Sequence, residues 1–206
     1  MLKAVIFDLD GTILDNDKAY DTAFGEVLRQ HGVDITHGFA HTGGVGVKSN
    51  WREFIKIYNL SPSLSLDDLE RQTQESYINN INKIKIRDGF VSLAEEVRGS
   101  NLKSALATGN DLETTQKVLQ HFQIGKFFDA ISTIYEVSNP KPHPDIFLLA
   151  SRRVGVVPQD CLVIEDSEAG LEAAKRAGMR LISIHEYPFT ALSSKKLHYL
   201  FDSKYN

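Results

Sequence analysis

Four apolar residues, Ala4-Val5-Ile6-Phe7, run directly into Asp8-Leu9-Asp10-Gly11-Thr12 near the start of a 206-residue chain. A short, wholly apolar run closed by a turn signal reads as a strand buried on both faces of a parallel sheet. Buried parallel strands occur almost only in α/β architectures, so this stretch narrows the fold class at once. In open sheets of that kind the working residues gather beyond the carboxyl ends of the strands. Asp8 and Asp10 stand at such an end, and one intervening residue lets both carboxylates face the same side. Gly11 permits a backbone turn that a side chain would obstruct. Strand-end aspartates also serve as turn formers and helix caps, so the rest of the chain must separate chemistry from capping.

The pattern that follows is helical. Tyr20, Ala23, Phe24, Val27 and Leu28 recur at helical spacing from Asp17 to His31, with Gly32 as the stop. His37 to Lys48 is glycine-rich, with Gly43, Gly44 and Gly46 preventing a regular element and allowing close backbone approach to a ligand. A helix is expected from Ser49 or Asn50, with Trp51, Phe54, Ile55 and Tyr58 on its apolar side, broken by Ser61-Pro62-Ser63. Another is expected from Leu66 to Ile81. Trp51 and Phe54 read as core, and His31, His37 and His41 read as solvated loop residues whose spacing fits no zinc pattern.

From Lys83 the pattern becomes strand-helix alternation. Strands are expected at Ser104–Thr108, Ala130–Ile134, Cys161–Ile164 and Leu181–Ile184. The helices between them carry Phe90 to Val97, then Leu112, Thr115, Val118, Leu119 and Phe122 inward, then Ile146 to Ala150, and a last one ending at Ala177 before Gly178. Repeated βα units of this length predict a doubly wound parallel sheet, a Rossmann-like α/β core. The core domain is expected over 1–15 and 83–206, interrupted by an inserted helical cap domain over 16–82.

Four strand or loop ends in this scheme carry residues suited to a phosphate and a metal: Asp8 with Asp10, Thr108, Lys141, and Glu165 with Asp166. Carboxylates gathered this closely need a cation, and hard oxygen donors favour Mg²⁺. Lys141 supplies positive charge and Thr108 a hydroxyl donor for phosphoryl oxygens. Ser167 reads as the cap of the last helix, and Ala169, Gly170, Ala173 and Ala174 as residues that allow tight helix–sheet packing. His143 is given no role.

Phe7-Asp8-Leu9-Asp10-Gly11-Thr12, Ala107-Thr108-Gly109-Asn110, Lys141-Pro142-His143-Pro144-Asp145 and Ile164-Glu165-Asp166-Ser167-Glu168-Ala169-Gly170 resemble, in order, the four motifs of the haloacid dehalogenase superfamily. The last motif and the early helical insertion resemble its phosphoglycolate phosphatase and β-phosphoglucomutase branch. The resemblance implies a Mg²⁺-dependent phosphatase of a small phosphorylated metabolite, a phosphoglycolate or sugar phosphate. Asp8 would be the nucleophile that forms an aspartyl-phosphate, and Asp10 the acid and then the base. Mg²⁺ would be held by Asp8, the backbone carbonyl of Asp10, Asp166 and, directly or through water, Glu165. Thr108 and Lys141 would hold the phosphoryl group, and Thr12 would orient the loop after the first strand. Gly109, Asn110 and Lys48 are candidate substrate contacts.

Competing readings are a phosphomutase of the β-phosphoglucomutase type and a receiver-like module without enzymatic activity. Mutase-like members place an arginine in the glycine-rich passage to grip a second phosphate, and this chain has none between Gly32 and Ser49, Lys48 being the nearest cation. Receivers lack both the helical insertion and the Glu-Asp motif. Dehalogenation would need neither Asp10 nor the Glu165-Asp166 pair. The net charge of −4 argues against a nucleic-acid or membrane partner. The single cysteine, Cys161, reads as a small core residue and fits a cytoplasmic location, and the immediate start of the first strand leaves no room for a signal peptide.

Overall fold

The computed structural model describes residues 1–203; the last three residues of the expected core domain lie outside them. Its centre is a five-stranded parallel sheet in the order β5-β4-β1-β6-β7. The strands are β1 (Ala4–Phe7), β4 (Lys103–Ala107), β5 (Ala130–Ser132), β6 (Cys161–Glu165) and β7 (Arg180–Ser183). Two further strands of two residues each, β2 (Leu14–Asp15) and β3 (Lys85–Ile86), pair antiparallel where the chain leaves the sheet and where it returns.

Strand alternation sorts the core into two layers. Val5 and Phe7 of β1, Leu106 of β4, and Leu162 and Ile164 of β6 join the larger apolar cluster. That cluster is closed by α4 (Phe90–Arg98) and α5 (Leu112–Phe122). Ala4 and Ile6, Ala105 and Ala107, Cys161 and Val163 face the other way. There they meet α6 (Asp145–Arg153) and α7 (Glu168–Arg176), whose Ala150, Ala173 and Ala174 are fully buried. Small residues on both sides of that second layer bring helix and sheet close together.

Between β2 and β3 lie three helices, α1 (Asp17–Gln30), α2 (Val47–Ile57) and α3 (Leu66–Asn79). Trp51 and Phe54 of α2 pack edge-on to each other and against Phe24 of α1. The Trp51 indole N–H donates to Thr73 Oγ1 of α3 at 2.8 Å, which satisfies the polar end of a side chain with no exposed surface.

The structure departs from the sequence reading in local ways. α2 starts at Val47, two residues before the earliest expected start, because Gly46 at φ 85 turns the chain directly into it. β5 ends at Ser132, and Ile134–Glu136 is a 3₁₀ turn closed by a Thr133–Glu136 capping box. α3 ends at Asn79 and a separate 3₁₀ turn covers Ile81–Lys83. Leu112, expected inward, is 51% exposed at the first turn of α5. The β2–β3 pair was not anticipated, since two residues carry no periodicity. Beyond the last expected strand lies one more helix, α8 (Ser194–Asp202), whose Leu197 and Phe201 are buried.

Candidate active site

The strand register brings the motifs together. Phe7 pairs with Leu106 of β4 on one side and Ile164 of β6 on the other. Asp8 therefore stands one step beyond β1, level with Glu165 at the end of β6, and its N–H donates to Ile164 O at 3.1 Å. Asp8 and Glu165 share the parity of Ile6 and Val163, so both carboxylates lean toward the α6–α7 layer. Lys141, in the loop that enters α6, meets them there. Its Nζ donates to Asp8 Oδ1 at 2.5 Å and to Glu165 Oε1 at 2.8 Å, and all three side chains are buried.

Glu165 is held further by Ser167, whose N–H donates to Oε2 at 2.5 Å and whose hydroxyl lies within 3.1 Å of both oxygens. That hydroxyl also caps α7, accepting from the Gly170 N–H at 3.1 Å. Gly170 has a steric reason to be glycine: a Cβ there would lie 1.7 Å from Glu165 Oε1. Gly11, at φ 77, has the same kind of reason, since its Cβ would meet Asp166 Oδ2 at 2.2 Å. Thr12, which the sequence reading had orienting a loop, donates its hydroxyl to Asp166 Oδ1 at 2.7 Å and so fixes that carboxylate.

Asp8, Glu165 and Asp166 each offer an oxygen, all within 4.8 Å of one another. Among the described residues, Lys141 is the one cationic side chain bonded to them. Burial pushes the Asp8 carboxyl well up, against the pull of Lys141, and Glu165, Asp166 and Asp10 push the same way. Burial and Glu165 also raise Asp166, to about 6. Hard oxygen donors carrying more negative charge than they can hold ionised fit a divalent cation such as Mg²⁺.

Asp10 is held apart from this cluster. Its Oδ1 accepts from Asn16 Nδ2 at 2.5 Å and from the Tyr77 hydroxyl at 3.3 Å, and its Oδ2 accepts from Asn110 Nδ2 at 2.7 Å. Asn16 also accepts from the Gly11 N–H at 2.9 Å, and Asn110 accepts from the Tyr20 hydroxyl at 2.6 Å. Tyr20 of α1 and Tyr77 of α3 stack with ring centroids 4.3 Å apart. Burial raises the Asp10 carboxyl to about 6 although the bonds from Asn16 and Tyr77 oppose it. A carboxyl poised near neutrality can both give and take a proton.

Thr108 is fully buried at the end of β4, with its Oγ1 accepting from the Asn110 N–H at 3.1 Å. Gly109 and Asn110 line the cleft above Asp8, a narrow space of about 50 Å³. Lys48 does not reach that cleft. It turns to Asp67 at 2.5 Å and Glu70 at 3.4 Å and lies over the Tyr135 ring, because acidic residues of α3 offer it partners nearer to hand. His41, expected to be a solvated loop residue, lines the cleft against Phe24, with ring centroids 5.2 Å apart.

Asn16, Tyr20, Tyr77 and His41 are the site residues that sequence reasoning missed. Helical spacing placed Tyr20 correctly on the buried face, and nothing in that spacing tells a core tyrosine from one whose hydroxyl is in use.

The sequence model of the haloacid dehalogenase-like hydrolases matches residues 2–178. A phosphorylated carbohydrates phosphatase of Thermotoga maritima is 32% identical over 182 residues, covering 88% of this chain and 84% of that protein. The crystal structure of β-phosphoglucomutase from Clostridium difficile superposes with a TM-score of 0.87 at 26% identity, over 98% of this chain and 97% of that one. A CbbY variant from Rhodobacter sphaeroides, in complex with xylulose-(1,5)-bisphosphate, gives 0.77 at 28% identity, over 89% and 86%. Among the described residues no helix is long and apolar enough to cross a membrane.

Proposed function

Since the chain belongs to the haloacid dehalogenase-like hydrolases and is a phosphoric monoester hydrolase, we propose that it is a Mg²⁺-dependent phosphatase of a small sugar phosphate, acting through a phosphorylated Asp8. The observation that carries this reading is the different treatment of two carboxylates separated by one residue. Asp8 is bonded to a buried lysine beside two further carboxylates, whereas both oxygens of Asp10 are held by neutral amide donors. One is equipped as a nucleophile and the other as an acid and base.

In the first step an Asp8 carboxylate oxygen attacks phosphorus as the ester P–O bond breaks, and the Asp10 carboxyl gives its proton to the departing sugar oxygen. In the second, Asp10, now ionised, takes a proton from water while that water's oxygen attacks phosphorus. The Asp8–phosphorus bond breaks and inorganic phosphate leaves. Lys141 Nζ, fixed by Glu165, neutralises charge on the phosphoryl oxygens throughout, and Thr108 adds a hydroxyl donor. Mg²⁺ would be held by Asp8, Asp166 and the backbone carbonyl of Asp10, where it supplies positive charge to the phosphoryl group. Glu165 would act from behind, because Lys141 and Ser167 already occupy both its oxygens. We assign residues 16–82 to a cap over a core formed by 1–15 and the chain from 83 onward, with β2 and β3 as its neck.

The similarity to β-phosphoglucomutase supports a second reading, transfer of the phosphoryl group to another hydroxyl. It is disfavoured by Lys48, the nearest cation to the glycine-rich loop, which is committed to Asp67 and Glu70. Incubating the protein with a panel of sugar phosphates, with Mg²⁺ and with chelator, separates the two. Mg²⁺-dependent release of inorganic phosphate is expected; isomerised sugar phosphate without free phosphate would establish the mutase.

A further inference from the structure

The cleft has a charge inventory that its chemistry does not require. Beyond Asp8, Asp10 and Asp166, its lining holds one more carboxylate, Asp17, and no lysine or arginine. The charge of Asp17 is felt at Asp166, which puts it on the metal side of the mouth. Among the described residues, Lys141 stands with Asp8 and Glu165 where the transferred phosphoryl group would bind, Arg87 donates to Gly11 O at 2.8 Å, and Lys48 is committed to Asp67 and Glu70. One phosphate can be neutralised here by Lys141 and a bound divalent cation. A second would enter an acidic cleft whose lining offers it no lysine or arginine, and like charges brought together there are costly.

The wall contributed by α1 and the glycine-rich loop carries hydrogen-bonding groups of another kind. His41 lines it beside Tyr20 and Phe24, and its Nδ1 lies 3.2 Å from Asp21 Oδ1. With Nδ1 beside Asp21, Nε2 is the ring nitrogen left for a hydroxyl in the cleft. The loop that presents it is pinned from α2. Asn50 Oδ1 accepts from the Thr42 N–H at 2.7 Å, and Asn50 Nδ2 donates to Thr42 O at 3.0 Å and Gly46 O at 3.1 Å. Gly44 and Gly46 bring the same loop against Ser167 and Ile134 so closely that a Cβ on either would stand 2.4 Å from those side chains.

We infer that the cleft selects monophosphates of hydroxylated carbon chains and rejects bisphosphates, with His41 reading a substrate hydroxyl and Asn50 positioning the loop that carries it. This rests on the phosphatase reading above and adds the substrate class. It also sets the chain apart from the CbbY structure that holds a bisphosphate.

The test uses Asp8→Asn, which cannot form the phosphoenzyme, and Asp8→Asn with His41→Ala. Calorimetry with Mg²⁺ measures binding of fructose 1-phosphate, fructose 1,6-bisphosphate and propyl phosphate, which has no hydroxyl. Fructose 1-phosphate is expected to bind Asp8→Asn at least about tenfold more tightly than the bisphosphate. His41→Ala is expected to cut the preference for fructose 1-phosphate over propyl phosphate by about tenfold, the worth of one hydrogen bond in a buried site. A bisphosphate bound as tightly as the monophosphate overturns the selection. An unchanged preference in the double variant overturns the assignment of His41. If the unsubstituted protein releases no phosphate from any ester while these binding preferences hold, the phosphatase reading fails and the selection stands.

Discussion

Two regions meet at the cleft and are built differently. The sheet side is fixed by long-range geometry: Asp8, Lys141 and Glu165 come from positions 8, 141 and 165, and buried ion pairs hold them together. The helical side is a loop, residues 41 to 46, shaped by glycines and held by one asparagine side chain. Buried charges in the first region cannot move without leaving a neighbour unpaired. Loop contacts in the second can be lost one at a time. On the proposed function, chemistry falls to the ion-paired region and recognition to the loop, and substitutions on either side should separate the two.

The largest effect is expected from Asp8→Asn, which removes the proposed nucleophile: turnover should fall by at least about a thousandfold while the melting temperature stays the same or rises. A variant keeping substantial turnover would refute the assignment of Asp8. Next comes Gly170→Ala. Its Cβ would collide with the Glu165 carboxylate and displace the anchor of Lys141. A fall in kcat of roughly ten- to a hundredfold is expected, about 1.4–2.7 kcal/mol of transition-state stabilisation, together with a lower melting temperature. Asn50→Ala acts on the loop instead, so KM should rise about three- to tenfold with a smaller change in kcat. If Gly170→Ala and Asn50→Ala gave the same KM and kcat pattern, the division between the regions would be wrong.

The smallest effect tests a pair outside the cleft. Arg153 donates to both carboxylate oxygens of Glu136, at 2.6 and 3.0 Å, and this holds Glu136 down to about 2 from an ordinary 4.5. A depressed carboxylate contributes stability above its unfolded value and loses it as pH falls through its folded one. Glu136→Gln should therefore cost about 1 kcal/mol at pH 7, discounted for its partial exposure. Urea midpoints of the two proteins should converge as pH falls from about 4.5 toward 2. A gap that stayed constant over that range would mean that Arg153 does not set the ionisation of Glu136.

Much of the sheet side was legible in the sequence. A run such as Ala4–Phe7, apolar at every position, has few places to go except the middle of a parallel sheet. Once the alternation after residue 83 supplied its neighbours, the strand ends had to converge. Asp8, Asp10, Thr108, Lys141, Glu165 and Asp166 could thus be named from their places in the pattern. The reading weakened wherever a role depends on which atom a side chain gives to which neighbour. Tyr20 and Tyr77 look like core residues in any periodic pattern, and their service to Asp10 appears only when α1 and α3 pack side by side. Lys48 looked like the cation nearest the ligand, and a better pair of partners on α3 turned it away. His41 looked solvated because its loop has no period to place it.

By itself, the sequence determined the layers, the strand ends and the set of groups available for phosphoryl chemistry, because these follow from hydrophobic spacing and chain connectivity. Tertiary structure alone decided how that set divides: which carboxylate faces a lysine, which is held by amides, and which cations remain free for a ligand. The physical reason is that spacing fixes the face on which a residue lies, whereas ionisation and recognition depend on partners a few ångströms away that can come from anywhere in the chain.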